Sequence, residues 1–127
     1  MKAILDTHAF LWALAGDARM SRLARETFGS PADLSLSIAS VWEILIKVQL
    51  GKLNLPRPAG AYVLRKLAEN GIKRLPISID HLLALERLPM HHRDPFDRML
   101  IAQSMEEGWP IITADPAFKQ YPIRVIW

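Results

Sequence analysis

His91-His92-Arg93-Asp94-Pro95-Phe96-Asp97-Arg98-Met99-Leu100-Ile101-Ala102-Gln103, residues 91–103, is the stretch that decides the fold. Asp94 can accept from the free backbone N–H groups that open a helix. Pro95 suits a first helical turn because it has no donor to leave unpaired. Gly108 suits the left-handed stop. These signals predict a helix over 95–107. Ile111-Ile112-Thr113 follows as a short buried strand (111–113) that ends just before Asp115. Working outward, residues 2–5 read as a buried strand ending at Asp6, and 8–15 as a helix closed by Gly16. A helix over 20–28 is stopped by Gly29-Ser30-Pro31. The alternation of residues 34–37 predicts a strand, and a helix runs from Ile38 to about Leu50 with Gly51 beyond it. Residues 55–60 are a Pro-containing connection. A helix over 60–70 stops at Asn70-Gly71, a strand spans 73–79 at a sheet edge because of Pro76, a helix covers 80–88, and a last strand covers 123–126. Strands alternating with helices predict an α/β fold: a parallel sheet with helices on both faces, whose ligands sit at the carboxyl ends of the strands.

The chain has 127 residues, half of them apolar, which suits a single domain spanning 1–127 with a real core. Cysteine is absent, which excludes disulfides, thiolate metal sites and a cysteine nucleophile and suits a reducing, cytoplasmic location. No apolar run approaches the ~20 residues of a membrane helix, and Asp6 comes too early for a signal peptide. The net charge is +3, from 16 basic and 13 acidic side chains spread evenly, and this alone is a weak signal for nucleic acid. If four carboxylates were committed to a cation, the basic surplus over the rest of the chain would more than double, and such a surface attracts a phosphate backbone.

Four acids fall at or near the carboxyl edge of the predicted sheet. Asp6 follows the first strand, Asp115 follows the 111–113 strand, and Glu43 lies early in the helix leaving 34–37. Asp97 is in the first turn of the 95–107 helix, a position whose proximity to that edge the pattern alone leaves open. Each acid also has an ordinary structural use: Asp6 as a helix cap, Glu43 as a capping-box partner of Ser40, Asp97 as a complement to the helix dipole, Asp115 as a turn residue before Pro116. A helix starting at Ser37 would put Glu43 too deep to cap anything. If the four converge, they repel one another unless a divalent cation sits among them. Oxygen-only ligands point to Mg²⁺ or Mn²⁺ and to phosphoryl chemistry.

Other constellations are weaker. His91-His92 resembles a metal pair, but neighbouring side chains in a loop diverge. His8 can touch substrate or serve structure at a helix start. There is no G-x-S-x-G elbow around the serines and no Gly-rich phosphate loop. Trp12, Trp42 and Trp109 lie in or beside apolar segments and are expected in the core.

The sequence resembles the PIN-domain family and, within it, the VapC-type toxins of bacterial toxin–antitoxin pairs. The resemblance is carried, in order along the chain, by Leu5-Asp6-Thr7-His8 with Phe10-Leu11-Trp12, by Ser40-Val41-Trp42-Glu43-Ile44, by residues 91–103 and by Ile112-Thr113-Ala114-Asp115. It implies a PIN-like fold with a central parallel sheet of about five strands flanked by helices. It also implies a Mg²⁺- or Mn²⁺-dependent ribonuclease whose acidic residues, catalytic and metal-holding, are Asp6, Glu43, Asp97 and Asp115. Asp6 and Asp97 are the expected direct ligands. Thr7, Asp94, Arg98 and Thr113 are expected beside them: the threonines as orienting hydroxyls, Asp94 as cap or supporting group, Arg98 facing phosphate or pairing with an acid. The partners implied are an RNA substrate, a cognate antitoxin protein and a second copy in a homodimer, with no membrane. Helix 8–15, apolar around its circumference, fits either deep burial or a contact with another chain.

The main rival is a non-catalytic PIN-like module that binds RNA or protein. An aspartyl phosphatase needs a second acid two residues after the first, where this chain has His8. A receiver-type domain needs paired acids at the first strand and a lysine after the last, and neither is evident.

Overall fold

The computed structural model describes residues 1–30 and 33–127, so the proline of the Gly29-Ser30-Pro31 stop lies outside the described residues. Among those residues the order is β1 (Lys2–Leu5), α1 (Thr7–Ala15), α2 (Arg22–Phe28), β2 (Asp33–Ser37), α3 (Ile38–Gln49), α4 (Ala59–Glu69), β3 (Lys73–Leu75), α5 (Ile79–Glu86), α6 (Pro95–Glu107), β4 (Ile111–Ile112) and β5 (Val125–Ile126). A 3₁₀ turn at Pro116–Gln120 precedes β5.

The five strands form one sheet in the order β3-β2-β1-β4-β5, with every neighbouring pair parallel. The expected parallel sheet flanked by helices is therefore present. Strand alternation divides its two faces. Ala3 and Leu5 of β1, Leu34 and Leu36 of β2 and Ile112 of β4 pack with Phe10 of α1, Ile44 of α3 and Val63 of α4. Ile4 and Ile111 point the other way, into a cluster with Ala84 of α5, Leu100 and Ile101 of α6 and Phe118 of the 3₁₀ turn. The chain winds outward from β1 through β2 to β3, then returns to place β4 on the other side of β1. The reversal leaves a crevice between the carboxyl ends of β1 and β4, where α/β sheets take their ligands.

Helix boundaries follow the chemistry of their ends. The Asp94 carboxylate accepts from the backbone N–H groups of Phe96 and Asp97, and Gly108 takes the left-handed conformation with φ 74°, so α6 spans the predicted residues. The Ser37 hydroxyl caps α3 by accepting from Ala39 N–H, which puts Glu43 inside the helix. Two boundaries differ for a clear local reason. The α2 helix starts at Arg22 and not at residue 20, because Ser21 is its cap and accepts from Ala24 N–H. The 73–79 strand stops at Leu75, since Pro76 has no N–H for the ladder and Ser78 begins the cap of α5. β3 nevertheless lies at a sheet edge, as Pro76 indicated. Among the tryptophans, Trp42 is 60% exposed, against the expectation of burial, and makes an edge contact with Phe96 at 5.2 Å between ring centroids.

Candidate functional site

Four elements carry the acids towards the crevice. Asp6 directly follows β1 and is the N-cap residue of α1, but its side chain makes no cap bond. Its Oδ2 accepts instead from the Thr113 hydroxyl at 2.9 Å, across the gap between β1 and β4. Its Oδ1 is buried and has no donor. Glu43 reaches the same region from α3. One of its oxygens pairs with Lys47 Nζ at 2.9 Å and the other, Oε1, is buried without a partner. Both residues are only 4% exposed. Two buried carboxylate oxygens with nothing to bond are costly in a finished core and natural where a cation is to be received.

Asp97 opens α6 and faces this pair. Burial comes first among the causes that push its pKa to about 8, followed by the negative charges of Asp6, Asp94, Glu43 and Asp115. Burial also raises Asp6, opposed most by the Thr113 hydrogen bond. The negative charges of four carboxylates therefore bear on Asp97. Oxygen donors with unsatisfied lone pairs and a raised pKa suit a hard divalent cation. On these grounds the residues present fit Mg²⁺ or Mn²⁺.

Asp115 is divided between two tasks. Its Oδ1 caps the 3₁₀ turn by accepting from Ala117 N–H, and its Oδ2 lies 3.3 Å from His92 Nε2. The same His92 nitrogen is 3.1 Å from Asp97 Oδ2. His92, Asp97 and Asp115 each offer a ligand atom, and these atoms lie within 4.8 Å of one another. His92 Nδ1 accepts from Asp94 N–H, which leaves Nε2 as the donor towards the two acids. The sequence argument that adjacent histidines diverge holds for the pair, since His91 turns onto Tyr121 at 5.2 Å. It missed that one of the two rings enters the site. Only the proximity of the motif to Asp97 in sequence signalled this.

The supporting residues are placed unequally. Thr113 reaches Asp6 and also accepts from Asp115 N–H at 3.1 Å, so one hydroxyl holds two of the acids in register. Thr7 donates to Ser40 at 2.8 Å and ties the start of α1 to α3. Among the described residues Arg98 makes no ion pair with an acid. Its guanidinium donates to the Pro89 carbonyl at 3.0 Å and reaches His92 O and the Tyr121 hydroxyl at 3.4 Å, pinning the loop that carries His92. Thr113→Val is expected to remove both hydroxyl bonds, leave Asp6 less satisfied, and lower stability by about 1–3 kcal/mol in chemical denaturation. An unchanged midpoint and slope would show that the hydroxyl is dispensable.

A parallel α/β sheet with acids gathered at its winding reversal defines a class, and comparison with known proteins names it. The profile of the PIN domain matches residues 3–123, and the chain belongs to that family. It is similar to Ribonuclease VapC22 of Mycobacterium tuberculosis, 25% identical over 119 residues that span 93% of this chain and 90% of that one. Among solved structures it resembles VapBC2 of Rickettsia felis bound to a DNA fragment from the promoter, with TM-score 0.74 and 13% identity over 98% of this chain and 97% of that one. It also resembles VapC20 of Mycobacterium tuberculosis, a toxin that cleaves the sarcin-ricin loop, with TM-score 0.67 and 19% identity over 95% of each chain. These similarities establish the fold. Among the described residues no helix is long and apolar enough to cross a membrane.

Proposed function

We propose that this chain is a Mg²⁺- or Mn²⁺-dependent endoribonuclease, a single cytoplasmic domain acting as the toxin of a toxin–antitoxin pair. The observation that carries the reading is the convergence of Asp6, Glu43 and Asp97 with two buried, partnerless carboxylate oxygens among them. The name of the ribonuclease relative supports the substrate class, and the VapBC complexes among similar structures support a protein antitoxin. Asp6 and Asp97 would hold the cation, with Glu43 and Asp115 serving a second ion or its waters. A divalent cation held there would lower the pKa of a water so that it can give up a proton and become the nucleophile, and would offset charge on the leaving oxygen.

The chain's own residues do the rest. Thr113 keeps Asp6 aimed into the crevice, and Asp94 keeps the first turn of α6, and so Asp97, in place. Glu43 and Asp115 flank the pocket as acceptors for the proton lost by the attacking water. Single-stranded or looped RNA suits the crevice, since an A-form duplex hides its bases in a deep narrow groove. A homodimer and an antitoxin covering the site complete the proposal.

The test is incubation of purified, antitoxin-free protein with total RNA, with Mg²⁺ and with chelator. Cleavage only with the cation is expected, together with growth arrest when the chain is expressed alone. Folded protein that binds RNA or a partner but never cuts would instead favour the non-catalytic module.

A further inference from the structure

Beside the acids lies a cavity of about 360 Å³ lined by Asp6, His8, Trp12, Arg19, Ala114 and Asp115. Two of these residues belong to the acid cluster, so whatever binds the cluster extends into this space. Its one guanidinium is held in an unusual way. Asp17 takes Arg19 in a fork, with Arg19 Nε to Asp17 Oδ1 at 3.1 Å and Nη2 to Oδ2 at 2.7 Å. Asp17 Oδ1 also accepts from the Arg19 backbone N–H at 2.8 Å, which fixes the start of the side chain. The other side of the guanidinium lies over the Trp12 ring at 4.4 Å, and Trp12 is itself braced by Trp127 at 5.8 Å.

A free surface arginine samples many rotamers and loses that freedom on binding. Here the fork and the ring contact already restrict that freedom. Yet the Arg19 side chain remains 66% exposed. The fork uses the Nε hydrogen and one Nη2 hydrogen, so both hydrogens of Nη1 and the second of Nη2 point away from Asp17. A planar, pre-oriented donor edge beside carboxylates that a cation must neutralise matches a phosphate oxygen pair. We propose that Arg19, seated by Asp17 and Trp12, is a binding residue for a backbone phosphate of single-stranded RNA next to the one being cut. This inference rests on the ribonuclease reading and adds to it a named contact on one side of the scissile bond.

The experiment measures binding of a short single-stranded RNA of mixed sequence with Mg²⁺ present, across a salt series, in an Asp97→Asn background that cannot cut. Arg19→Ala is expected to weaken binding roughly tenfold and to lower the slope of log affinity against log salt by about 1. Arg19→Lys should recover the slope but not the affinity, because an ammonium lacks the fork and the stacking plane. In the cleaving protein, Arg19→Ala should raise KM with kcat within about twofold. Unchanged binding and slope in Arg19→Ala overturn the proposal, as does a loss in kcat alone. A loss of affinity with a lowered melting temperature and an unchanged slope would mark Arg19 as structural, and an effect confined to an acidic protein partner would give the edge to that partner. If the parent protein binds RNA without ever cutting it, the ribonuclease reading falls while the Arg19 contact is still decided by the slope. If it binds no RNA, both fall.

Discussion

Asp97→Asn is expected to lower RNA cleavage at least roughly 10²–10³-fold while the protein folds as well as its parent. The side chains are nearly isosteric, and the Asp94 carboxylate still caps the Asp97 backbone N–H. What changes is charge. Asp97 is the acid on which the others converge, with its pKa pushed to about 8 by burial and by Asp6, Asp94, Glu43 and Asp115. Such a group stays protonated at neutral pH without a cation and becomes a carboxylate when a cation displaces the proton. Asparagine imitates the first state and cannot enter the second. A cleavage assay beside a circular dichroism melt checks both halves, and parental activity in the variant would remove Asp97 from the site.

The same raised pKa makes the cation-free protein lose stability as pH rises. In the unfolded chain Asp97 titrates near 3.8, while in the fold it holds its proton to about 8. Between those values the folded state binds more protons than the unfolded one, so the contribution is full below pH 3.8 and is lost as pH passes through about 8. Burial raises Asp6 as well, and it acts in the same direction. Asp17, lowered to about 2 by its bonds with Arg19, titrates outside this window. The chelated protein should melt on the order of 5 °C lower at pH 9 than at pH 6, a figure discounted for solvent screening of a partly exposed group. Millimolar Mg²⁺ should restore most of the difference, with the larger effect at pH 9, and Asp97→Asn should flatten the profile. A cation-free melting temperature that rises over this range would contradict the electrostatic account of the site.

What the sequence made legible was local chemistry. Asp94, Pro95 and Gly108 delimit α6 because each acts on backbone groups within a turn of itself, and Ser37 and Gly16 do the same for α3 and α1. Asp6 and Asp115 were legible as acids that follow strands, whereas Glu43 and Asp97 lie inside helices, and only the family resemblance set Asp97 beside the others. The errors arose where distant neighbours decide. Arg98 next to Asp97 looks like a phosphate ligand until the fold lays the Pro89 and His92 carbonyls across it. His92 reaches Asp115, 23 positions away, because the 3₁₀ turn returns past the loop. Trp42 has the apolar neighbours of a core residue but lies on the outer side of α3, where Phe96 covers only one edge. Arg19 carries no motif. Its fork with Asp17 is local, but its seat on Trp12 and its place beside Asp6 are products of the fold.

The position of β1 in the middle of the sheet also orders events in time. β1 is made well before β4, one of its two neighbours, and the Asp6 carboxylate waits for a hydroxyl 107 positions later. At roughly 5–20 residues per second, that interval is about 5–20 s of translation. Until it ends, the growing chain carries an open central edge and has no crevice. Asp97 and Asp115 are likewise encoded in its last third, so a chain truncated before them has no acid cluster to assemble. The arrangement that places the site at the winding reversal thus makes its completion depend on residues far apart in the chain.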